Sequence, residues 1–346
     1  MIFGKAQTLF QTINICKGAF SMVECNSRKA AIIGCGFVGA TSAFALAESG
    51  LFSEIVLLDK DRDRAEGEAL DLSHGLPFAK PVQIYAGHYE DVSDAAVLIL
   101  TAGAGQKPGE SRLSLAQRNA AVYRSILPQI VQYNRGGILL VVSNPVDLLT
   151  YAAFKRSGFP ENRVFGSGTV LDTARLKYRL GEHLGVDSRS VHAFIVGEHG
   201  DSEIAVWSSA NVSGIPLARF CELRGFFNHA EMMHKIARDV KNSAYTIIEK
   251  KHATYYGIAM SVKRICEAIV RDEKSILPVT SLQHGVHGIE GVALSMPAII
   301  GRQGVEGVVP IAMNASEEAA LRHSAQTLQN ALARLEQDAL EPAPRF

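Results

Sequence analysis

Short apolar runs recur along the first half of this chain, each closed by glycine or a polar turn. Lys29-Ala-Ala-Ile-Ile33 reads as a buried strand, Gly34-Cys-Gly-Phe-Val-Gly39 as a turn, and the alanine-rich segment up to Ser49-Gly50 as a helix with a glycine stop. A second strand, Glu54-Ile-Val-Leu-Leu58, closes on Asp59. Strands and helices then alternate through residues 97–101, 115–133, 138–142 and 148–157, the pattern of a doubly wound parallel sheet. Pro128 is expected to end or kink the helix it interrupts. In the second half, Met233, Ile236, Val240 and Ile247 follow helical spacing, as do Leu321, Ala325, Leu328, Leu332 and Leu335; both stripes read as core. His284-Gly-Val-His287 lies between apolar runs and reads as a hairpin turn.

Composition narrows the function. Of 346 residues, 47% are apolar and 20% charged, with Lys+Arg 35 against Asp+Glu 35, so no overall field favours nucleic acid or an anionic membrane. A small-molecule partner fits better, and no apolar run is long enough to span a bilayer. Five cysteines (Cys16, Cys25, Cys35, Cys221, Cys266) without a CxxC pair read as reduced thiols of a cytosolic protein. No HExxH occurs, so no metal is expected. Residues 1–28 read as an N-terminal arm: Lys5, Gln7, Gln11, Asn14 and Lys17 break any signal-peptide core, and translation starts at Met1 or Met22. The expected divisions are that arm, a dinucleotide-binding domain over 29–166, a substrate domain over 167–338 and a loose tail over 339–346. The helix near 254–272 is expected to pack back on the first domain.

Five stretches carry the chemistry. Gly34, Gly36 and Gly39 form a GxGxxG turn between strand and helix, and Asp59 follows Gly39 by twenty residues. That context marks a dinucleotide site: the glycines allow a tight turn and close approach of a pyrophosphate, and the helix N-terminus offers free N–H groups. A carboxylate at Asp59 repels a 2′-phosphate, so NAD is expected in preference to NADP. The loop 102–113, with glycines at 103, 105 and 109, sits at the carboxyl edge of the sheet and carries Arg112. In Ser143-Asn144-Pro145-Val146-Asp147, Pro145 and Asp147 suit a helix start, which by itself needs no function. Asp172 and Arg175 share a helix face, and an intrahelical ion pair is the plain reading. In Gly197-Glu-His-Gly-Asp-Ser202, His199 follows the apolar run 191–196 and suits a general acid/base at a strand end.

Beside a nicotinamide, His199, Arg112, Asp172 and Arg175 fit one reaction class, hydride transfer between cofactor and a 2-hydroxy or 2-oxo acid. Arg175 is the natural bidentate anchor for a carboxylate and Arg112 polarises the carbonyl. His199 moves the alcohol proton, and Asp172 orients the imidazole and favours its charged form.

From about Ala30 to Arg334 the chain resembles the bacterial type of L-lactate dehydrogenase, in the lactate/malate dehydrogenase family. The resemblance rests on the glycine turn, Gln106-Lys-Pro-Gly-Glu-Ser-Arg112, Ser143-Asn-Pro-Val-Asp147, Leu171-Asp-Thr-Ala-Arg175, Gly197-Glu-His-Gly-Asp-Ser202 and Thr254-Tyr-Tyr-Gly-Ile-Ala259, in the family's order. It implies a Rossmann domain followed by a mixed α+β substrate domain, and a cytosolic homotetramer that reduces pyruvate to lactate. By the same resemblance, His199 is the proton donor and acceptor, Asp172 its partner, Arg175 the anchor and Arg112 the polarising residue. Asn144 contacts substrate and nicotinamide, Thr254 lines the substrate pocket, and Gln106 faces the far end of the substrate, where a malate-type site carries arginine. Gly34, Gly36, Val38, Gly39, Asp59, Arg64, Tyr89, Gly103, Ala104, Ser125, Val142, Ser143, Asn144 and Ser167 are the implied NAD contacts. Many such enzymes are activated by fructose 1,6-bisphosphate through an arginine and a histidine at a subunit interface; here His192 matches and Lys177 replaces the arginine. A further departure is His252, where many relatives have glycine. The competing readings are a malate dehydrogenase and a catalytically silent NAD-binding or structural relative on the same fold.

Overall fold

The structure, a computed structural model, describes residues 25–105 and 110–340, with side chains described as far as Leu335. Gln106, Met22, most of the expected arm and the final six residues lie outside the described residues. The chain opens with β1 (Asn26–Ile33), α1 (Phe37–Ser49), β2 (Glu54–Leu58), α2 (Arg62–Gly75), β3 (Gln83–Ala86), β4 (Ala95–Leu100), α3 (Arg112–Tyr133), β5 (Ile138–Val141), α4 (Val146–Ser157) and β6 (Val164–Gly166). These six strands pair in parallel in the order β3-β2-β1-β4-β5-β6. That is the doubly wound dinucleotide-binding order, whose ligand crevice opens at the carboxyl ends of β1 and β4. The strands read as continuous apolar runs because helices cover both faces: Ala30, Ile32, Ile55, Leu57, Val97 and Ile99 face one core, Ala31, Val56, Leu98 and Leu139 the other.

The chain continues through α5 (Val170–Leu184), β7 (Val191–Val196), β8 (Ile204–Val212), β9 (Ile215–Pro216), α6 (Leu217–Leu223), α7 (His229–Lys251), α8 (Tyr256–Val270), β10 (Ser275–His284), β11 (Glu290–Gly301), β12 (Gly304–Val308) and α9 (Ala315–Leu340). β10 to β12 extend the first sheet antiparallel to β6, making nine strands, and β7 to β9 form a separate antiparallel sheet. The fold is thus α/β, a Rossmann sheet followed by mixed α and β structure. α8 packs on α1, and Val262, Ile265, Cys266 and Ile269 share the core of Ala43 and Leu46. The His284-Gly-Val-His287 segment does turn between β10 and β11.

Of the two outcomes expected at Pro128, an ended helix is not found: α3 runs on to Tyr133, the end that the apolar pattern gave. Pro128 and Arg124, whose carbonyl loses its usual N–H donor, both face solvent, while buried Tyr123, Leu127 and Ile130 hold the flanking turns on the core. α3 also starts earlier than the apolar periodicity indicated, because the Ser111 hydroxyl caps it by accepting the Ser114 N–H at 3.1 Å. Arg112 is therefore the first residue of a helix instead of a loop residue.

Candidate active site

The glycine turn comes first in chain order and is set by close approach. Gly34 has φ +108, and a Cβ there would lie 2.5 Å from the backbone nitrogen of Ala102. A Cβ on Gly39 would run into the Gly34 carbonyl, so this glycine lets α1 close on β1. Around Gly36 there is open space, and this residue caps α1 with no side-chain bond to its first N–H groups. Asp59 ends β2 beside the turn: Oδ2 accepts the Cys35 N–H at 2.6 Å and Oδ1 the Asp61 N–H at 3.0 Å. The expected ribose contact therefore falls to lone pairs that these bonds leave over.

Asn119 ties the neighbouring strand ends together. Its Nδ2 donates to the carbonyls of Asn144 at 2.7 Å and Ala104 at 3.2 Å, and its Oδ1 accepts the Ala104 N–H at 2.8 Å. Ser143 donates to the Ala102 carbonyl at 2.7 Å, and Ser167 N–H to the Val141 carbonyl at 2.8 Å. Gly103, Ala104, Val142, Ser143, Asn144 and Ser167 thus come together at the carboxyl edge of the sheet. Val38 lies in the first turn of α1. Arg64 caps into Asp61 from the first turn of α2, and Tyr89 is partly buried, its hydroxyl pKa raised by burial and by Asp59. Ser125 stands apart from this network, exposed on α3 with its hydroxyl on the Val122 carbonyl.

On the other side of the crevice, β7 delivers His199 and α5 delivers Asp172 and Arg175. His199 Nδ1 and Asp172 Oδ2 are 2.6 Å apart, and Arg175 Nη1 donates to Asp172 Oδ1 at 2.8 Å. The intrahelical ion pair exists, but its carboxylate also serves the histidine. Burial pushes the Asp172 carboxyl up, yet His199 and Arg175 outweigh it and hold the group below its ordinary value. For His199, burial works against the imidazolium; Asp172, helped by Asp147, overcomes that and raises its pKa. The other ring nitrogen, Nε2, makes no hydrogen bond to a described residue.

Three further groups fix the histidine. Asp147 Oδ2 accepts the His199 backbone N–H at 2.8 Å, while Oδ1 accepts from Thr280 Oγ1 at 2.6 Å. Burial lifts this carboxyl to about 6, with Thr280 and His199 limiting the rise. Arg112 Nη2 donates to the His199 carbonyl at 2.7 Å, with Nη1 3.7 Å from Glu198 Oε1. A side chain at Gly200 would displace that guanidinium from its place against the His199 carbonyl. Thr254 lies half-buried just ahead of α8. Lys177 is half-buried on α5, its pKa lowered by burial, and His192 is exposed on the adjoining strand β7.

Residues 28–166 match the lactate/malate dehydrogenase NAD binding domain, and 169–338 the alpha/beta C-terminal domain of the same family. The chain belongs to the lactate/malate dehydrogenase family. Among the relatives of this dehydrogenase, the L-lactate dehydrogenase 1 of Clostridium acetobutylicum is 52% identical over 304 residues, covering 88% of this chain and 97% of that one. The L-lactate dehydrogenase of Acetivibrio thermocellus is 51% identical, covering 89% and 98%. A lactate dehydrogenase from a Medee basin deep-sea metagenome library superposes with TM-score 0.86 at 44% identity, covering 89% of this chain and 99% of that one. The minor L-lactate dehydrogenase of Enterococcus mundtii gives 0.85 at 41%, covering 91% and 99%.

The dehydrogenase is therefore an NAD-dependent oxidoreductase, and its residues fit that cofactor. The space left open at Gly36 and the uncapped start of α1 suit a pyrophosphate, and Asp59 suits an unphosphorylated ribose. No helix among the described residues is long and apolar enough to cross a membrane. Sequence reasoning missed Asn119, and it read Asp147 only as a helix start. Asn119 had a signal: it is a polar residue on the face of α3 that buries Leu115, Ala116 and Tyr123.

Proposed function

We propose that this dehydrogenase is an L-lactate dehydrogenase, reducing pyruvate to (S)-lactate reversibly. The observation that carries the reading is the Asp172 carboxylate bonded at once to His199 and Arg175, which puts a proton carrier beside a carboxylate anchor. NADH, held at the glycine turn and Asp59, would supply hydride chemistry at the carbonyl carbon, and one proton completes the alcohol. His199 donates that proton from Nε2, because Nδ1 is committed to Asp172, whose carboxylate raises the ring's pKa and so favours its charged form. Arg175 Nε and Nη2, which have no partner among the described residues, are available to the substrate carboxylate as a planar pair. Arg112, braced on the His199 carbonyl, polarises the substrate carbonyl and stabilises the developing alkoxide.

Asn144, Thr254 and Gln106 complete the substrate site in this reading, and the glycine turn, Val38, Asp59, Arg64, Tyr89, 103–104, Ser125, 142–144 and Ser167 hold NAD. The domains divide at 29–166 and 167–338. A cytoplasmic homotetramer activated by fructose 1,6-bisphosphate at Lys177 and His192 belongs to the same proposal, with Lys177 gripping phosphate less firmly than an arginine fork. Relatives that are half identical along nearly their whole length and named L-lactate dehydrogenase support the substrate.

The deciding assay follows NADH absorbance with a panel of 2-oxo acids. Pyruvate is expected to be strongly preferred, and preference for oxaloacetate would move the assignment to malate. Fructose 1,6-bisphosphate is expected to raise the rate at subsaturating pyruvate, at lower concentration in Lys177→Arg; two flat curves would dismiss the effector site.

A further inference from the structure

Behind the Asp172–His199 pair stands a carboxyl group that the reaction as described leaves without a task. Glu203 occupies the turn between His199 and β8, where its backbone N–H donates to the Gly200 carbonyl at 3.1 Å and folds the chain back toward the histidine. Its Oε1 is buried without a hydrogen-bond partner. Ligand atoms of Asp172, His199 and Glu203 all lie within 4.8 Å of one another. An ionised carboxylate so placed would need donors, whereas a neutral carboxyl tolerates their absence at far lower cost.

The charged groups facing Glu203 come from three elements: Asp172 and Arg175 on α5, His199 after β7, and Lys241 on α7. Burial and then Asp172 push the carboxyl up to about 8, against the pull of His199, Arg175 and Lys241. A carboxyl so raised favours its neutral form near neutrality, and its titration is coupled to that of the adjacent imidazole, which is itself shifted upward.

We propose that Glu203 is a positioning residue for the His199 proton: an acid that stays neutral while the imidazolium is charged, and that on ionising holds the imidazolium charged into more alkaline solution. The proposal rests on His199 being the proton donor. The proton balance is simple. His199 gives its proton to the substrate oxygen, Glu203 keeps its own through that step, and at alkaline pH the Glu203 proton goes to solvent. The carboxylate left behind adds a second negative charge next to the ring, which raises the pH at which the ring is half protonated. Two coupled groups then share the alkaline limb of pyruvate reduction.

The test is the pH profile of kcat/KM for pyruvate at saturating NADH, in the full chain and in Glu203→Gln, which keeps size and polarity but cannot ionise. The expectation is activity within about twofold at pH 6 and an alkaline midpoint lowered by about half a pH unit or more. The limb should also change from a broadened, shallow form to a simple one-proton form, and Glu203→Asp should recover part of the shift. Binding of oxamate, a non-reducible isostere of pyruvate, to the NADH complex reads the same proton by fluorescence without turnover and should move in parallel. Should Glu203→Gln fold poorly, Glu203→Met, similar in volume and equally unable to ionise, makes the same comparison. Profiles of wild type and variant that coincide in midpoint and steepness would overturn the proposal. Failure of the underlying reading looks different, because His199→Asn would then keep its turnover at every pH.

Discussion

The two walls of the crevice are held in shape by different physics. At the glycine turn the determinants are steric: Gly34 and Gly39 are where they are because any Cβ meets backbone of a neighbouring strand or turn. At the histidine they are electrostatic: Asp172 holds the ring and Asp147 its backbone N–H, both raise its pKa against burial and Arg112, and Arg175 bonds the Asp172 carboxylate. A steric site tolerates no side chain but is indifferent to pH over the working range. An electrostatic site tolerates isosteres and changes with every proton.

The largest expected effect breaks the electrostatic wall alone. His199→Asn removes the proposed proton carrier, for which a loss of roughly 100- to 10,000-fold in turnover is the ordinary scale. NADH affinity, measured by fluorescence titration, should stay within about twofold because the glycine turn is untouched. Turnover close to wild type would sink the role of His199.

The steric wall is broken at Gly36, the glycine whose missing Cβ meets nothing in the protein. Gly36→Ala should fold with wild-type stability, since its backbone is extended with φ −74, yet bind NADH about tenfold or more weakly, because the methyl occupies the approach of the pyrophosphate. Gly39→Ala differs in kind: its Cβ strikes the Gly34 carbonyl, so stability should fall by about 1–3 kcal/mol along with affinity. Equal NADH affinity in Gly36→Ala and wild type would argue against this placement of the cofactor.

These two walls were unequally legible from the amino-acid pattern. Gly34 to Asp59 lie within one strand–helix–strand unit, so spacing alone exposes them. The histidine cluster is assembled from residues between 112 and 280, carried by α3, α4, α5, β10 and the turn after β7. Asp172 and Arg175 could be paired as neighbours on α5, but that the same carboxylate reaches His199 depends on how β7 packs against α5. Asp147 looked like the start of α4, which it is; its second task needs His199 fifty-two residues away. Arg112 was expected on a loop because periodicity located α3 by its apolar residues and overlooked the Ser111 cap.

A smaller effect tests the sign of the electrostatics. Asp172 has a folded-state pKa below its ordinary value, so the stability it contributes is present above the unfolded value near 4 and lost as pH falls through the folded one. Asp172→Asn should therefore be less stable than wild type at pH 7, by about 1–3 kcal/mol, and the difference should shrink below pH 4. The charge partner of the imidazolium also goes, so pyruvate binding should weaken and its pH limb move to lower values. A stability gap that stays constant from pH 7 to pH 3 would mean that packing, and not the charge, is what Asp172 supplies.

The smallest effect returns to sterics, at the residue that closes α7. His252 ends α7 in the left-handed conformation, φ 67, with its N–H on the Ile248 carbonyl at 2.7 Å and its side chain exposed. Glycine adopts that conformation without penalty, whereas a residue with a Cβ loses roughly 1–2 kcal/mol there. Part of the gain on reverting is offset, because glycine leaves the unfolded chain with more freedom to lose. His252→Gly should thus raise stability by only about 0.5–1 kcal/mol, read as a higher thermal midpoint at fixed protein concentration. Turnover should be unchanged, since the backbone leading to Thr254 already has the shape that glycine would give it. A lower midpoint would show that the His252 side chain makes a contact worth more than the strain it carries.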